Sequence, residues 1–269
     1  MKSVVKYILL TGGALVFVYP FLWMFTSSLK PEAEIGDLGL WSTAFSFINY
    51  EKVLVKIPIL RALLNSLIVS ASCTTTVVIL GSMVGYALSR LRFAGKRGLY
   101  MLILFTMMIP FQIVLIPQYI LMVKLGWTDT YLALIAPTMI SAFGIVLFRQ
   151  FFLSIPQALI DAARIDGCNE VTILFRIIYP LSRPVIITVA LLTFMTNWNE
   201  VLWPMMVVRE RSLMTMPQIV ALFSTGGEAE SQLGYLLAAA TLLALPVVIA
   251  YAFFQRYFIE SMASTGLKG

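Results

Sequence analysis

The chain has 269 residues, of which 60% are hydrophobic and 12% are charged, and it carries a formal net charge of +6. This composition is typical of a membrane protein and excludes an ordinary soluble domain. The chain contains no histidine and only two cysteines, without a CxxC pair, so we expect neither a zinc or haem site nor a disulfide framework. The loops are too short to present a basic nucleic-acid-binding face.

Six long, charge-poor runs dominate the sequence. Each is long enough to cross a hydrocarbon core of about 30 Å as a helix that rises about 1.5 Å per residue. The runs are continuously apolar, which favours helices over the alternating strands of a β-barrel. The sequence therefore predicts an all-α, polytopic membrane protein with six transmembrane helices. The predicted spans are residues 7–29, 62–89, 98–123, 130–148, 184–208 and 231–255.

The first run lacks a small-residue cleavage site, so we expect an uncleaved anchor. Several spans contain proline, which predicts helix kinks. In the second span, Gly81 and Gly85 have the GxxxG spacing that allows two helices to pack closely.

Lys and Arg residues are distributed unequally between the two sides of this topology. The side that holds both termini, residues 89–97 and residues 149–183 contains twelve of the 19 Lys and Arg residues, and the opposite side contains seven. Because positively charged loops stay in the cytoplasm, the termini and the 149–183 segment are predicted to be cytoplasmic.

The long cytoplasmic loop contains signals for two helices. Ser154 is a candidate N-cap for a helix over about 155–166, and Gly167 is a candidate hinge after it. Asn169 is a candidate N-cap for a second helix, which is expected to end at Pro180.

The first of these helices is predicted to be amphipathic. Asp161, Arg164 and Asp166 are charged, whereas Ala162 and Ala163 are small enough to permit close approach of a neighbour. The pattern alone leaves two interpretations open, a helix that lies on lipid headgroups and a helix that docks onto a protein.

The same loop resembles the cytoplasmic coupling loop of ABC importer permeases. The family pattern is Glu-Ala-Ala, three residues, Gly, nine residues and Ile-x-Leu-Pro. Here Asp-Ala-Ala at 161–163 is followed by Gly167 and by Ile-Ile-Tyr-Pro at 177–180. Asp161 and Tyr179 depart from the pattern: Asp161 keeps the carboxylate of the Glu that it replaces, on a shorter side chain, and Tyr179 keeps the bulk of the Leu.

Three further segments are similar to the shorter, six-span partner of the permease heterodimer in the maltose-type carbohydrate branch. They are NWNEVLWPMMV at 197–207, LMTMPQIVALF at 213–223 and the tail at 253–269. The resemblance implies a type I ABC importer permease fold with three regions. These are an N-terminal helix and first outer loop at 1–60, a permease core at 61–258 with its coupling loop at about 153–183, and a cytoplasmic tail at 259–269.

The resemblance also implies the function and the partners. The chain would move a carbohydrate across a bacterial or archaeal cell membrane, together with a second permease subunit, two ABC ATPase subunits and an extracytoplasmic sugar-binding protein. It would be no enzyme and bind no cofactor, since ATP and Mg would be used by the ATPase subunits. The residues expected to couple it to the ATPase are Asp161, Ala162, Ala163, Arg164, Asp166, Gly167 and Pro180.

Glu200 is an ionisable residue inside the fifth predicted span, which makes it a candidate functional residue. With Asn197, Trp198, Asn199 and Trp203 it could line a sugar pathway, because amides, carboxylates and aromatic rings bind hydroxyl-rich ligands. The alternatives are that a hydrogen bond to Asn197 or to a neighbouring helix neutralises this carboxyl group, or that the side chain extends outward to the membrane surface.

Other functions are weighed against this one. An ion-driven secondary transporter needs coupling groups near the midplane, and the chain offers one off-centre Glu. A membrane-embedded enzyme is disfavoured because histidine and nucleophile–base spacings are absent. A permease for a non-sugar solute such as a polyol phosphate, and an assembly protein without transport activity, remain open at this point.

Overall fold

The computed structural model describes residues 2–225 and 232–266. These residues form helices joined by turns and loops, and no β-strand occurs among them, which confirms the all-α prediction. Residues 267–269 of the predicted tail lie outside the described residues. The helices are α1 Lys2–Ser27, α2 Ile48–Lys56, α3 Ile59–Arg90, α4 Lys96–Thr106, α5 Phe111–Leu125, α6 Tyr131–Ile135, α7 Ala142–Leu153, α8 Gln157–Ile165, α9 Glu170–Thr172, α10 Tyr179–Leu181, α11 Arg183–Trp198, α12 Leu202–Val207, α13 Met216–Thr225 and α14 Leu233–Gly266.

Two helices are long and apolar enough to cross a membrane without a break, namely Val5–Ser27 within α1 and the whole of α3. Three further pairs meet this test only together, because each bends at a short break. The bends measure 98° between α4 and α5, 42° between Tyr131–Thr138 and α7, and 89° between Glu170–Leu181 and α11. An apolar stretch at Leu233–Ile249 lies in the sixth predicted span. The six predicted spans therefore coincide with helices, and the number of crossings stays a prediction.

The third span is not the continuous helix that the sequence suggested. α4 ends at Thr106, and α5 begins after Pro110, whose backbone is extended at φ −60° and ψ 133°. Proline cannot donate a hydrogen bond to a preceding turn, and it also disfavours helical geometry at the residue before it. An unbroken apolar composition therefore hides a sharp change in direction. By contrast, Pro20 and Pro117 lie inside their helices.

The chain forms two compact units, and the first comprises the described residues of Met1–Leu63 and Thr215–Ile249. In this unit the Glu32 carboxylate accepts the backbone N–H groups of Leu233 at 2.6 Å and Gly234 at 3.0 Å. A carboxylate here satisfies free donors at the start of α14 and complements its dipole. The loop after α1 is thereby attached to the beginning of α14.

The second unit comprises Leu64–Met214 with the described residues of Ala250–Gly269, and it places α3 against α7. A Cβ atom at Gly85 would lie 2.7 Å from the Cβ of Phe148 and 3.0 Å from the backbone nitrogen of Arg149. A Cβ at Gly81 would meet the Phe148 ring at an ordinary 3.6 Å. The prediction that this GxxxG pair permits close helix packing is confirmed, and Gly85 carries the stricter requirement.

One hydrophobic cluster joins α3 and α7 to the loop that follows α7. Phe148 and Phe152 stack at 5.6 Å between ring centres, and the Tyr86 ring meets Phe152 edge-on at 6.5 Å. Residues from both parts of the loop complete the cluster, so the loop shares its core with the two long helices. The buried members are Val77, Tyr86, Phe148, Phe152, Ile155, Ile160, Ala163, Ile173, Leu174, Ile178, Val185 and Val189.

Candidate functional site: the loop between α7 and α11

The first loop helix, α8, is shorter than predicted and begins differently. Its N-cap is Pro156, with extended backbone and no side-chain cap bond. Ser154, the expected N-cap, follows the last turn of α7 and donates its hydroxyl to the Phe151 carbonyl at 2.7 Å. The N-cap prediction for Ser154 is therefore wrong, because its hydroxyl binds a carbonyl of the preceding helix, α7, and not the first turn of α8.

The end of α8 agrees with the sequence prediction. Gly167 has φ +80°, in the left-handed region that favours glycine. Its N–H binds the Arg164 carbonyl at 3.0 Å, and the Cys168 N–H binds the Ala163 carbonyl at 3.0 Å. This pair of bonds is a Schellman motif. A Cβ at residue 167 would meet no atom within 4 Å, so conformation rather than space requires glycine.

The second loop helix begins where the sequence predicted. The Asn169 side chain caps it by accepting the Thr172 N–H at 2.8 Å. After α9, residues Ile173–Ile178 form a π-helix that leads directly into α10. Pro180 does not end the helix as predicted but lies in the first turn of α10, where a missing N–H is tolerated.

The two faces of α8 have different surroundings. Ile160 and Ala163 are buried in the shared hydrophobic cluster. Asp161, Ala162, Asp166 and Gly167 are exposed. Of the two alanines expected to admit a partner, Ala162 is available, whereas Ala163 packs inward against the protein's own core.

Several apolar side chains on the outer side of the loop are exposed to solvent. Ile165 is 86% exposed at the end of α8, and Leu159 and Val171 are also exposed. These three residues, together with Ala162, are named here the α8 apolar surface. An apolar surface held on a rigid support is suited to binding a protein or a lipid surface.

A polar network fastens the loop to α3. Arg164 donates to both carboxylate oxygens of Glu170, from Nε at 2.9 Å and from Nη2 at 3.3 Å. The buried Tyr86 hydroxyl also donates to Glu170. The Arg164 side chain, together with the hydrogen bond from Tyr86, holds the pKa of Glu170 below its usual range. Glu170 therefore joins α8, the start of α9 and α3.

A second set of polar contacts holds the start of the loop. Arg90, at the end of α3, donates to the carbonyl oxygens of Phe152 and Ile155 and to the Gln157 side chain. Gln157 in turn donates to Asp161 at 2.9 Å. Asp161 also meets Arg164 at 3.4 Å, so its carboxylate already has two partners within α8. The loop is thus fixed to α3 at its start and again at Glu170.

Tyr179, one of the two departures from the family pattern, also contacts α3. Its hydroxyl lies 2.6 Å from the hydroxyl of the buried Ser82 and 3.4 Å from the Val78 carbonyl. The ring meets Phe175 edge-on at 4.8 Å. Sequence analysis missed the roles of Tyr86, Arg90 and Ser82, because each contacts a residue more than sixty positions away and no local pattern records such a pair.

The predicted substrate-pathway residues lie where α11 gives way to α12. α11 ends at Trp198, so Glu200 lies at a break rather than inside a continuous span. Its carboxylate accepts the Trp203 N–H at 3.1 Å, near the start of α12. The Asn197 amide donates to the Thr193 carbonyl at 2.9 Å. It is therefore not the hydrogen-bond partner of the Glu200 carboxylate that one alternative had proposed.

The remaining members of this set differ in accessibility. Trp198 is 1% exposed and stacks on Phe194, and Trp203 is 3% exposed with its indole N–H bound to the Ala133 carbonyl at 2.8 Å. Asn199 is exposed. The two tryptophans pack inside the protein, Asn197 and Glu200 are half-buried, and Asn199 is the most accessible member. Among the described residues, no three His, Cys, Asp or Glu side chains are grouped so that they could hold a metal ion.

Comparisons with known proteins place the chain among transport permeases. It is 34% identical over 261 residues to the arabinooligosaccharides transport system permease protein AraQ of Halalkalibacterium halodurans, covering 95% of this chain and 93% of that protein. It is 29% identical over 264 residues to the lactose transport system permease protein LacG of Rhizobium radiobacter, with 97% and 95% covered. The sn-glycerol-3-phosphate transport system permease protein UgpE of Agrobacterium fabrum is 28% identical over 274 residues, with 98% and 97% covered.

A solved structure has the same fold. It is the crystal structure of a bacterial ABC transporter involved in the import of the acidic polysaccharide alginate, which matches with a TM-score of 0.82 and 28% sequence identity over 96% of both chains. Residues 77–264 also match the family model described as the binding-protein-dependent transport system inner membrane component. The chain therefore belongs to the family of binding-protein-dependent transport system inner membrane components.

Proposed function

We propose that this chain is the permease subunit of an ATP-driven importer that carries a carbohydrate into the cytoplasm. The single observation that carries the proposal is the family match over residues 77–264, which includes the whole loop between α7 and α11. The relatives named for arabinooligosaccharides and lactose support a sugar as the solute. Membership of this family disfavours the ion-driven secondary transporter.

The partners belong to the same proposal. A second permease subunit, two ABC ATPase subunits and an extracytoplasmic binding protein would complete the importer, and ATP and Mg would be used by the ATPase subunits alone. The chain would cross a bacterial or archaeal cell membrane several times, with both termini in the cytoplasm.

The α8 apolar surface is the proposed contact with an ATPase subunit. Its residues are exposed, while the opposite face of α8 is anchored in the cluster that includes Phe152 and Ile173. A force on α8 would then reach α3 and α7 as a rigid-body displacement, since packed cores resist deformation. Ala162 would allow the close approach, and Gly167 would present the helix at its required angle.

The experiment uses the complex reconstituted with its ATPase subunits, partner permease and binding protein. Ile165→Asp places a charge on the α8 apolar surface without touching the core, so we expect the variant to insert normally but to lose bound ATPase. Ser154→Asp, an exposed position at the start of the same loop, is the matched control. Normal ATPase retention and normal transport by Ile165→Asp would refute the contact.

The solute is tested separately, by ATP-dependent uptake into vesicles that contain the reconstituted complex. Arabino-oligosaccharides and lactose are compared with sn-glycerol 3-phosphate, because the UgpE relative is named for this polyol phosphate and it is therefore the alternative solute. Uptake of the phosphate ester alone would overturn the carbohydrate assignment. Uptake that persists after removal of the ATPase subunits would overturn the ATP-driven mechanism.

A further inference from the structure

A cavity on the Lys- and Arg-rich side of the second unit has no role in the proposed coupling. It has a volume of about 260 Å³ and lies where the end of α3 meets α4 and α7. Its lining residues are Leu88, Lys96, Arg97, Tyr100 and Arg149. Three of these five side chains are cationic and none is acidic. The chain has no Asp or Glu at all between residues 52 and 128, so nothing on α3 or α4 compensates this charge.

Arg149 is the most constrained of the three cations. Its guanidinium carbon lies 4.0 Å from the centre of the Tyr100 ring, which fixes the plane of the group through a cation–π contact. Its Nε atom is buried and has no hydrogen-bond partner among the described residues. A buried guanidinium donor without a partner is unfavourable, and a ligand that supplies an acceptor removes that cost.

Lys96 and Arg97 bring two further positive charges to the same cavity. The Lys96 ammonium group donates to the Leu91 carbonyl at 2.8 Å and to the Ser89 carbonyl at 3.3 Å. Gly95, the N-cap of α4, offers no side-chain acceptor to the first turn of this helix. The first N–H groups of α4 therefore add to the positive potential at the cavity.

A phosphate group matches this arrangement. Phosphate offers several oxygen acceptors to a guanidinium held in one plane and to nearby ammonium donors. At the end of a membrane helix on the Lys- and Arg-rich side, basic pockets of this kind bind anionic lipid headgroups. α4 also exposes Leu99, Met101 and Leu102, an apolar surface along which acyl chains can lie.

We propose that the cavity formed by Lys96, Arg97, Tyr100 and Arg149 binds the phosphate of an anionic phospholipid headgroup. The Arg149 Nε atom donates to a phosphate oxygen, while Lys96 and Arg97 neutralise the remaining charge. The bound headgroup occupies the cavity where the end of α3 meets α4 and α7.

Native mass spectrometry of the detergent-purified complex tests this site. The complex is incubated with phosphatidylglycerol or with phosphatidylcholine, and the retained lipid is counted for the wild type, Arg149→Gln, Arg149→Lys and Arg92→Gln. Arg92 is an exposed cation of the same turn outside the cavity, so Arg92→Gln is the matched control. We expect Arg149→Gln to lower the apparent phosphatidylglycerol affinity by about tenfold. We expect Arg149→Lys to retain part of the affinity and Arg92→Gln to retain it fully.

Four outcomes would overturn the proposal. The first two are equal retention of phosphatidylglycerol by Arg149→Gln and Arg92→Gln, and equal retention of phosphatidylcholine and phosphatidylglycerol by the wild type. The third is retention of inorganic phosphate by a wild type that retains no phosphatidylglycerol, which would make this a site for free phosphate. The fourth is loss of ATPase subunits from Arg149→Gln without loss of lipid, which would make the cavity a protein contact. If Arg149→Gln fails to assemble, Arg149→Lys and the wild-type comparison of phosphatidylglycerol with phosphatidylcholine decide the question on folded protein.

Discussion

Tyr86→Phe removes one hydroxyl from the network that fastens the loop to α3 and leaves the aromatic ring in the core. The Tyr86 side chain is 3% exposed, and its hydroxyl donates to the charged Glu170 carboxylate. Hydrogen bonds to charged groups contribute about 1.5–3 kcal/mol. Because the Glu170 side chain is 39% exposed and partly solvated, we expect a loss of about 1.5 kcal/mol in the free energy of unfolding.

Glu170→Ala removes the same bond together with the ion pair to Arg164. That pair is partly exposed, with side-chain exposures of 34% and 39%, and contributes only about 0.5–1 kcal/mol. The single variant should therefore lose roughly 2 kcal/mol. Because both variants lose the Tyr86–Glu170 bond, the double variant should lose about 1.5 kcal/mol less than the sum of the two single losses.

The assay is unfolding of the purified protein by sodium dodecyl sulfate in mixed micelles, followed by far-ultraviolet circular dichroism. Tyr119→Phe on α5 serves as the control for removal of a tyrosine hydroxyl. Additivity of the two losses within about 0.5 kcal/mol would show that Tyr86 and Glu170 do not interact, and the loop would then not be fastened to α3 in this way.

Three further predictions use the same stability measurement. Gly85→Ala should cost about 1–3 kcal/mol because its Cβ would overlap Phe148, whereas Gly81→Ala should be nearly neutral, and equal costs would contradict the packing. Glu32→Gln should cost about 1 kcal/mol by weakening the cap of α14, and an unchanged unfolding midpoint would argue against that role. Hydrogen bonds from the backbone N–H groups of residues 210 and 209 lower the pKa of Asp129, so its stabilisation is present above the ordinary carboxyl pKa and is lost as pH falls through the depressed value. Asp129→Asn should remove that part of the acid sensitivity, and an unaltered pH profile would contradict the assignment.

The fold class could be predicted from the sequence because the hydrocarbon core imposes one simple requirement, a long apolar run, on every spanning helix. The bends could not be predicted in the same way. The 98° break between α4 and α5 lies within an uncharged run, so no charged residue marks it. Pro110 signals a deviation, but its effect depends on what the freed backbone groups contact. The break at Glu200 was likewise taken for a charge inside a continuous helix.

Within the candidate loop, local features of single residues could also be predicted from the sequence, whereas their distant contacts could not. Gly167 and Asn169 were correctly interpreted because helix caps are local and depend on neighbours a few positions away. Ser154 was misassigned because a serine between two helices can serve either one. Tyr86 and Ser82 of α3 contact Glu170 and Tyr179, and Arg90 at the end of α3 contacts Gln157. Only the folded chain brings these pairs within hydrogen-bonding distance.

The contact between Tyr179 and Ser82 has an evolutionary consequence. The family pattern has Leu where this chain has Tyr179, and the extra hydroxyl finds its short contact on Ser82, 97 positions earlier. A chain that keeps Tyr at 179 but loses the hydroxyl at 82 leaves the phenol with only the longer Val78 contact. Residues 82 and 179 should therefore change together among descendants of this sequence, so that a substitution in the loop is accompanied by a substitution in α3.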